Sequence, residues 1–185
     1  MDHIKDYLRQ LKAALDALDL EAVRRARDWV GQTRQEGRQL FLCGNGGSAA
    51  TASHLANDLG KGASYGRSSR FRVIALTDNL PWITALANDV GYEAIFAEQL
   101  RNLGQQGDLL IAISGSGNSP NVLNAVRVAG ELGMLSIGWC GFGGGKLVEM
   151  VDLPVVVDSR HMGRVEDVHA ILMHLICYYF MERES

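Results

Sequence analysis

The chain has 185 residues, 47% of them hydrophobic and 21% charged, with 18 Lys+Arg against 21 Asp+Glu and a formal net charge of −3. That balance excludes a disordered or fibrous protein and leaves no basic excess of the kind that grips nucleic acid, with Arg67, Arg70 and Arg72 only a local patch. Three scattered cysteines, Cys43, Cys140 and Cys177, resemble neither a disulfide framework nor a zinc knuckle, which points to a reducing compartment.

Charged residues spread through the first dozen positions exclude a signal peptide, and the most apolar stretch, 170–181, falls short of the roughly 20 residues of a membrane span. The expectation is a cytoplasmic protein with no membrane partner.

The pattern opens on helix. Ile4, Leu8, Leu11, Leu15 and Leu18 recur at steps of four and three, a narrow apolar stripe that seeks another helix. A second helix follows, with Asp19 as N-cap, Leu20, Val23, Ala26, Trp29 and Val30 on its apolar side, and Gly37 as its stop. Residues 1–37 are thus expected to form a helical extension of a single domain spanning 1–185.

From Gln39 onward, short apolar runs bounded by Gly, Ser, Asp or Asn alternate with longer segments of helical spacing. Strands are predicted over 39–43, 71–76, 109–113, 135–140 and 153–157, and helices over 48–59, 81–87, 92–103, 119–132 and 164–184. Runs so continuously apolar suit parallel strands covered on both faces, hence an α/β three-layer sandwich built on a five-stranded parallel sheet. Ligands of such sheets bind where the carboxyl ends of strands meet helix N-termini.

Two loops stand at such places, Gly44–Asn45–Gly46–Gly47–Ser48 after the first strand and Ser114–Gly115–Ser116–Gly117–Asn118–Ser119 after the third. Glycine lets backbone amides approach an oxyanion, serine hydroxyls rotate to donate, and the helix dipole favours negative charge there. A single loop of this kind serves equally well as a plain strand-to-helix turn, but two on neighbouring strands point to a phosphate. Gly44, Gly46 and Ala49 match a dinucleotide spacing, yet the acid ending the second strand, Asp78, lies too far along. The run from Gly141 to Leu147 imitates a nucleotide P-loop but lacks its first glycine and its Ser/Thr.

With Cys43–Gly44–Asn45–Gly46–Gly47–Ser48, the Ser114 to Ser119 loop, and Val165–Glu166–Asp167–Val168–His169, the chain resembles the sugar isomerase (SIS) family, and within it the phosphoheptose isomerases, which act on sedoheptulose 7-phosphate. The resemblance covers nearly the whole chain. It implies an SIS domain with flavodoxin-like strand order, a phosphosugar substrate, and a homotetramer assembled through the leading helices with active sites at subunit boundaries. It places metal and catalytic positions on His54, Asp58, Glu166 and His174, and substrate contacts on Asn45, Gly46, Gly47, Ser48, Asn88, Asp89, Ser114, Gly115, Ser116, Ser119 and Glu166. Three positions depart from the family pattern. The usual catalytic Glu is Asp58, the usual Gln ligand is Glu166, and an Asp shortly before it is Gly163.

An aldose–ketose isomerase moves one proton between C1 and C2 and another between their oxygens, so it needs a base, a second acid/base group and positive charge near the oxygens. His54 and Asp58, four apart, share one helix face. His174 lies in an apolar stretch where an imidazole needs a partner, whereas His169 reads as a packed core residue. Asp58 and His174 can share the two proton transfers, or Glu166 serves as base while Asp58 is a ligand. Two carboxylates and two imidazoles make a nitrogen/oxygen site suited to Zn²⁺ or another divalent ion. The rival expectations are an isomerase or epimerase of another phosphosugar and a noncatalytic phosphosugar-binding or protein-assembly module.

Overall fold

The computed structural model describes residues 2–182. Its elements run α1 (His3–Asp16), α2 (Leu20–Gln35), β1 (Gln39–Gly44), α3 (Gly47–Asn57), β2 (Arg72–Ala75), α4 (Leu80–Asp89), α5 (Ala97–Leu103), β3 (Leu109–Ser114), α6 (Pro120–Glu131), β4 (Leu135–Cys140), α7 (Leu147–Met150), β5 (Leu153–Val156) and α8 (Met162–Glu182). The strands form one sheet in the order β2-β1-β3-β4-β5, every neighbouring pair parallel, which is the flavodoxin-like order.

Strand periodicity explains the three layers. Along β1, Leu40 and Leu42 join one core while Phe41 and Cys43 join the other, and β3 splits in the same way, with Leu109, Ile111 and Ile113 on the first face and Leu110 and Ala112 on the second. The first face is covered by α1, α2, α3 and α8 through residues such as Ala26, Val30, Leu55, Leu172 and Phe180. The second is covered mainly by α5 and α6 through Leu100, Val122, Ala125 and Ala129. The leading helices are capped as their sequence demands. Asp2 accepts from the Ile4 N–H, and Asp19 accepts from those of Glu21 and Ala22.

Differences from the predicted elements have local causes. The expected helix over 92–103 is divided into a 3₁₀ turn, Tyr92–Ala94, and α5. Ile95 and Phe96, both buried, lie at the break between the two pieces. The helix over 48–59 ends as an α-helix at Asn57 and continues as a π-helical turn, Asp58–Gly62, in which the Ala63 N–H reaches back five residues to Asp58 O at 2.8 Å. The four-residue α7 is too short to leave a periodic signal. The predicted last helix reached 184, and its final two positions lie outside the described residues.

Candidate active site

The first loop is shaped by Gly46, whose φ of 54° and ψ of −121° are open to glycine and strained for other residues. This turn sends the chain directly into α3, with Ser48 buried in its first turn. The second loop leaves β3 at the buried Ser114, whose hydroxyl lies 3.0 Å from that of Ser119. Among the described residues no side chain caps the N-terminus of α3, and at α6 the Ser119 side chain makes no cap bond while the Val122 N–H in the first turn is taken by Asn121 Oδ1. α3 therefore presents backbone donors at the carboxyl edge of the sheet, where a ligand oxyanion can take them up, whereas α6 opens on Pro120, which has no N–H, and the second loop offers its serine hydroxyls and glycine amides instead.

The P-loop imitator has a different task. It wraps the second loop, with the Leu147 N–H donating to Gly117 O at 2.9 Å, the Lys146 N–H to Asn118 Oδ1 at 3.1 Å, and the Gly141 N–H to Gly115 O at 2.9 Å. Gly117, at φ 67°, stands so close to the Gly144 carbonyl that a side chain there has no room.

At its far end, α3 carries His54 and Asp58, with His54 Nε2 3.4 Å from Asp58 Oδ2. Packing of α8 alongside α3 brings His174 to them, its ring edge-on to that of His54 at 5.3 Å between centroids. One potential ligand atom from each of the three lies within 4.8 Å of the others. Asn57 Nδ2 donates to the second carboxylate oxygen of Asp58 at 3.0 Å. Two imidazoles and a carboxylate at this spacing can converge on one divalent cation, and their donor chemistry suits zinc and its neighbours.

Glu166 stands outside that trio. Its carboxylate packs over the start of α3, where a methyl group on Gly47 would meet Oε1 at 2.5 Å. At 1.5 Å rise per residue, Glu166 and His174 are about 12 Å apart along α8. The helix thus spans the site, with Met162 over Gly115, Val165 over Gly141 and Glu166 over Gly47 at the loop end, and His174 at the trio. Gly163 leaves space that the Tyr7 hydroxyl approaches, and Tyr7 donates to Asp167 at 2.6 Å.

Asn88 and Asp89 close α4, exposed and bonded to each other at 2.7 Å. The segment they begin carries Tyr92, whose hydroxyl donates to the Asn45 side chain of the first loop. Asn121, buried in the first turn of α6, also meets Asn45. Neither Tyr92 nor Asn121 stands out in the sequence. The available signal for Asn121 is a carboxamide in the turn that follows the Ser/Gly loop. His169 lies between the two ends of the site, fully buried against Trp139.

This fold, with neutral oxyanion turns on adjacent strands and a titratable cluster at the other end of the same helix, defines a class, and the family model for the SIS domain matches residues 3–141. The chain belongs to the SIS-domain family. It is 39% identical over 176 residues to a phosphoheptose isomerase of Aliarcobacter butzleri, a match covering 94% of this chain and 93% of that one. The solved phosphoheptose isomerase of Neisseria gonorrhoeae superposes with a TM-score of 0.87 at 34% identity, covering 96% of this chain and 94% of its own. That of Francisella tularensis gives a TM-score of 0.90 at 31% identity, covering 98% and 97%. Within the SIS-domain family the chain is a member of the phosphoheptose isomerases.

Proposed function

We propose that the chain is an aldose–ketose isomerase of sugar phosphates, converting sedoheptulose 7-phosphate to D-glycero-D-manno-heptose 7-phosphate through an enediolate. The observation that carries this is the layout of α3, which begins at an oxyanion turn and ends at His54 and Asp58, facing His174. A phosphorylated tail and a reactive head are thereby served by one rigid element.

The phosphate is held by the hydroxyls of Ser48, Ser114, Ser116 and Ser119 and by the amides of Gly46, Gly47 and Gly115, with Asn45 beside them. Asn88 and Asp89 hydrogen-bond sugar hydroxyls, and Glu166, placed over Gly47, takes those nearest the phosphate. Asp58 removes the proton from C1 of the ketose and later delivers a proton to C2, while His174 moves the hydroxyl proton from O1 to O2. Asp58 is the better-placed base of the two carboxylates because it lies beside His174. Zn²⁺ or another divalent ion would be held by His54, Asp58 and His174 and would polarise the C1 and C2 oxygens, while Glu166, about 12 Å from His174 along α8, stands at the phosphate end and outside this ligand set.

The exposed apolar residues of α1, α2 and α8 favour a homotetramer, with 1–37 a helical extension used in its assembly. Three free buried cysteines fit a cytoplasmic protein. No helix of the described residues is long and apolar enough to cross a membrane.

The test is NMR in deuterated solvent with a panel of ketose phosphates. The expected result is deuterium entry and aldose formation with the heptulose phosphate; exchange with a hexulose phosphate alone overturns the substrate assignment. Asp58→Asn is expected to lower kcat by about 10²-fold or more at unchanged melting temperature. Full turnover by that variant removes Asp58 as the base.

A further inference from the structure

Asn45 is bound into a node that reaches three separate parts of the chain. Its Nδ2 donates to Asn121 Oδ1 at 2.8 Å, and Asn121 Nδ2 donates back to Asn45 Oδ1 at 2.7 Å, a reciprocal amide pair joining the first oxyanion loop to α6. Asn121 is 1% exposed. Its Oδ1 also accepts from the Val122 N–H at 3.0 Å, which fixes which end of the amide is oxygen. The Tyr92 hydroxyl donates to Asn45 Oδ1 at 3.1 Å, and Asn124 Nδ2 donates to Glu93 O at 3.1 Å, so the 3₁₀ turn after Asn88 and Asp89 is tied to the same place.

An amide oxygen has two lone pairs. Those of Asn121 Oδ1 are taken by Asn45 and Val122, and those of Asn45 Oδ1 by Asn121 and Tyr92. The second Nδ2 hydrogen of Asn45 has no partner among the described residues. Asn45 is therefore held with its acceptor end consumed and presents only a donor to whatever enters the cradle. A carboxamide and loop free to turn must be fixed with the donor end toward the anion when it binds, since the opposite orientation repels phosphate, and the node removes that ordering cost beforehand.

Resting on the phosphosugar assignment above, we infer that Asn121 is a positioning residue. It and Tyr92 lock Asn45 as a donor and set the spacing between the phosphate cradle and the Asn88–Asp89 segment. Asn121 acts through Asn45. Tyr92, at the rim and more than half exposed, carries the same constraint to the segment that binds the sugar.

The experiment compares wild type, Asn121→Ala, Tyr92→Phe and the double variant by calorimetry with inorganic phosphate, by steady-state kinetics on sedoheptulose 7-phosphate, and by thermal unfolding. Loss of the lock in Asn121→Ala is expected to weaken phosphate binding and raise KM about fivefold to tenfold, with kcat within about threefold because Asp58 and His174 are untouched. Tyr92→Phe is expected to raise KM about threefold, and the double variant to bind phosphate no more weakly than Asn121→Ala, since both act through one side chain. A lower melting temperature with phosphate affinity and KM unchanged means a merely structural pair and overturns the inference. If Asn121→Ala does not fold, Tyr92→Phe decides alone, because removing an exposed hydroxyl leaves the core intact. Wild type that binds phosphate without turning over the heptulose phosphate, with affinity falling in the variants, keeps the lock and discards the substrate. Wild-type turnover with kinetically unchanged variants does the reverse.

Discussion

His169 is a buried imidazole that the proposed chemistry leaves unused. It is 1% exposed, its ring lies 6.1 Å from that of Trp139, and neither ring nitrogen has a hydrogen-bond partner of good geometry. Burial pulls its pKa down to about 4, against a small opposing pull from the nearby Cys140 backbone. The folded protein holds this imidazole neutral, whereas the unfolded chain protonates it near 6.5. Stability from this group is complete above pH 6.5 and is lost as pH falls toward 4, on the order of 3 kcal/mol in all and about 2 kcal/mol by pH 5. Urea unfolding at pH 7.5 and pH 5 is expected to show that loss, and His169→Leu to flatten it; an unchanged pH slope in the variant assigns the loss to other groups. The sequence identified His169 as core because a histidine in the middle of a helix is more often packed than functional, and it paired His54 with Asp58 because four residues make one turn. It did not place Glu166 at the loop end, since a long side chain eight residues from His174 can point either way along α8. Nor did it find Asn121, whose role depends on a partner 76 positions away that no local pattern records.

At the scale of elements, the strands were legible to within a residue or two because short apolar runs bounded by Gly, Ser, Asp or Asn have few alternatives, the more so in β1, β3 and β4, which are buried on both sides. Helix ends were less so, and the π-helical turn at Asp58 was not, because its extra residue depends on how α3 meets α8, with Gly62 pressed against Met181. The two oxyanion turns make different demands on their glycines, and substitution separates them. Gly46 has open space around its Cα but a φ/ψ pair outside the left-handed region. Gly46→Ala is thus expected to cost about 1–3 kcal/mol of stability through backbone strain and to weaken phosphate binding with it. Gly117 adds a collision with the Gly144 carbonyl to its positive φ. Gly117→Ala is therefore expected to lower the melting temperature further than Gly46→Ala, by prying the 141–147 segment from its bonds to Gly117 and Asn118. Melting curves for the two variants check the ranking, and equal losses would mean that the second loop yields without disturbing the one packed on it.

For the whole molecule, the question is what covers the outer face of α8. Leu175 and Tyr178 are 52% and 49% exposed, Leu20 on α2 is 54% exposed, and Ile4 and Leu8 on α1 are barer still. An open groove of about 560 Å³ runs beside Leu175 and Tyr178, with Arg27 and Glu182 at its polar margin, and His174 of the titratable trio is part of its wall. Leu20 and Leu175 line one groove, and apolar surface of this kind is costly to leave in water and commonly marks an interface. In the proposed homotetramer a second copy seated here also shields the trio from solvent, which strengthens every electrostatic interaction within it. Leu175→Glu places a charge at the centre of that face without touching the core and is expected to lower the mass seen by sedimentation, with kcat falling as the assembly dissociates on dilution. His54, Asp58 and His174 remain intact in this variant, so any loss of activity must follow the assembly state across protein concentration. If Leu175→Glu sediments as wild type does, the copies meet elsewhere, and the groove beside His174 belongs to the entrance of the site.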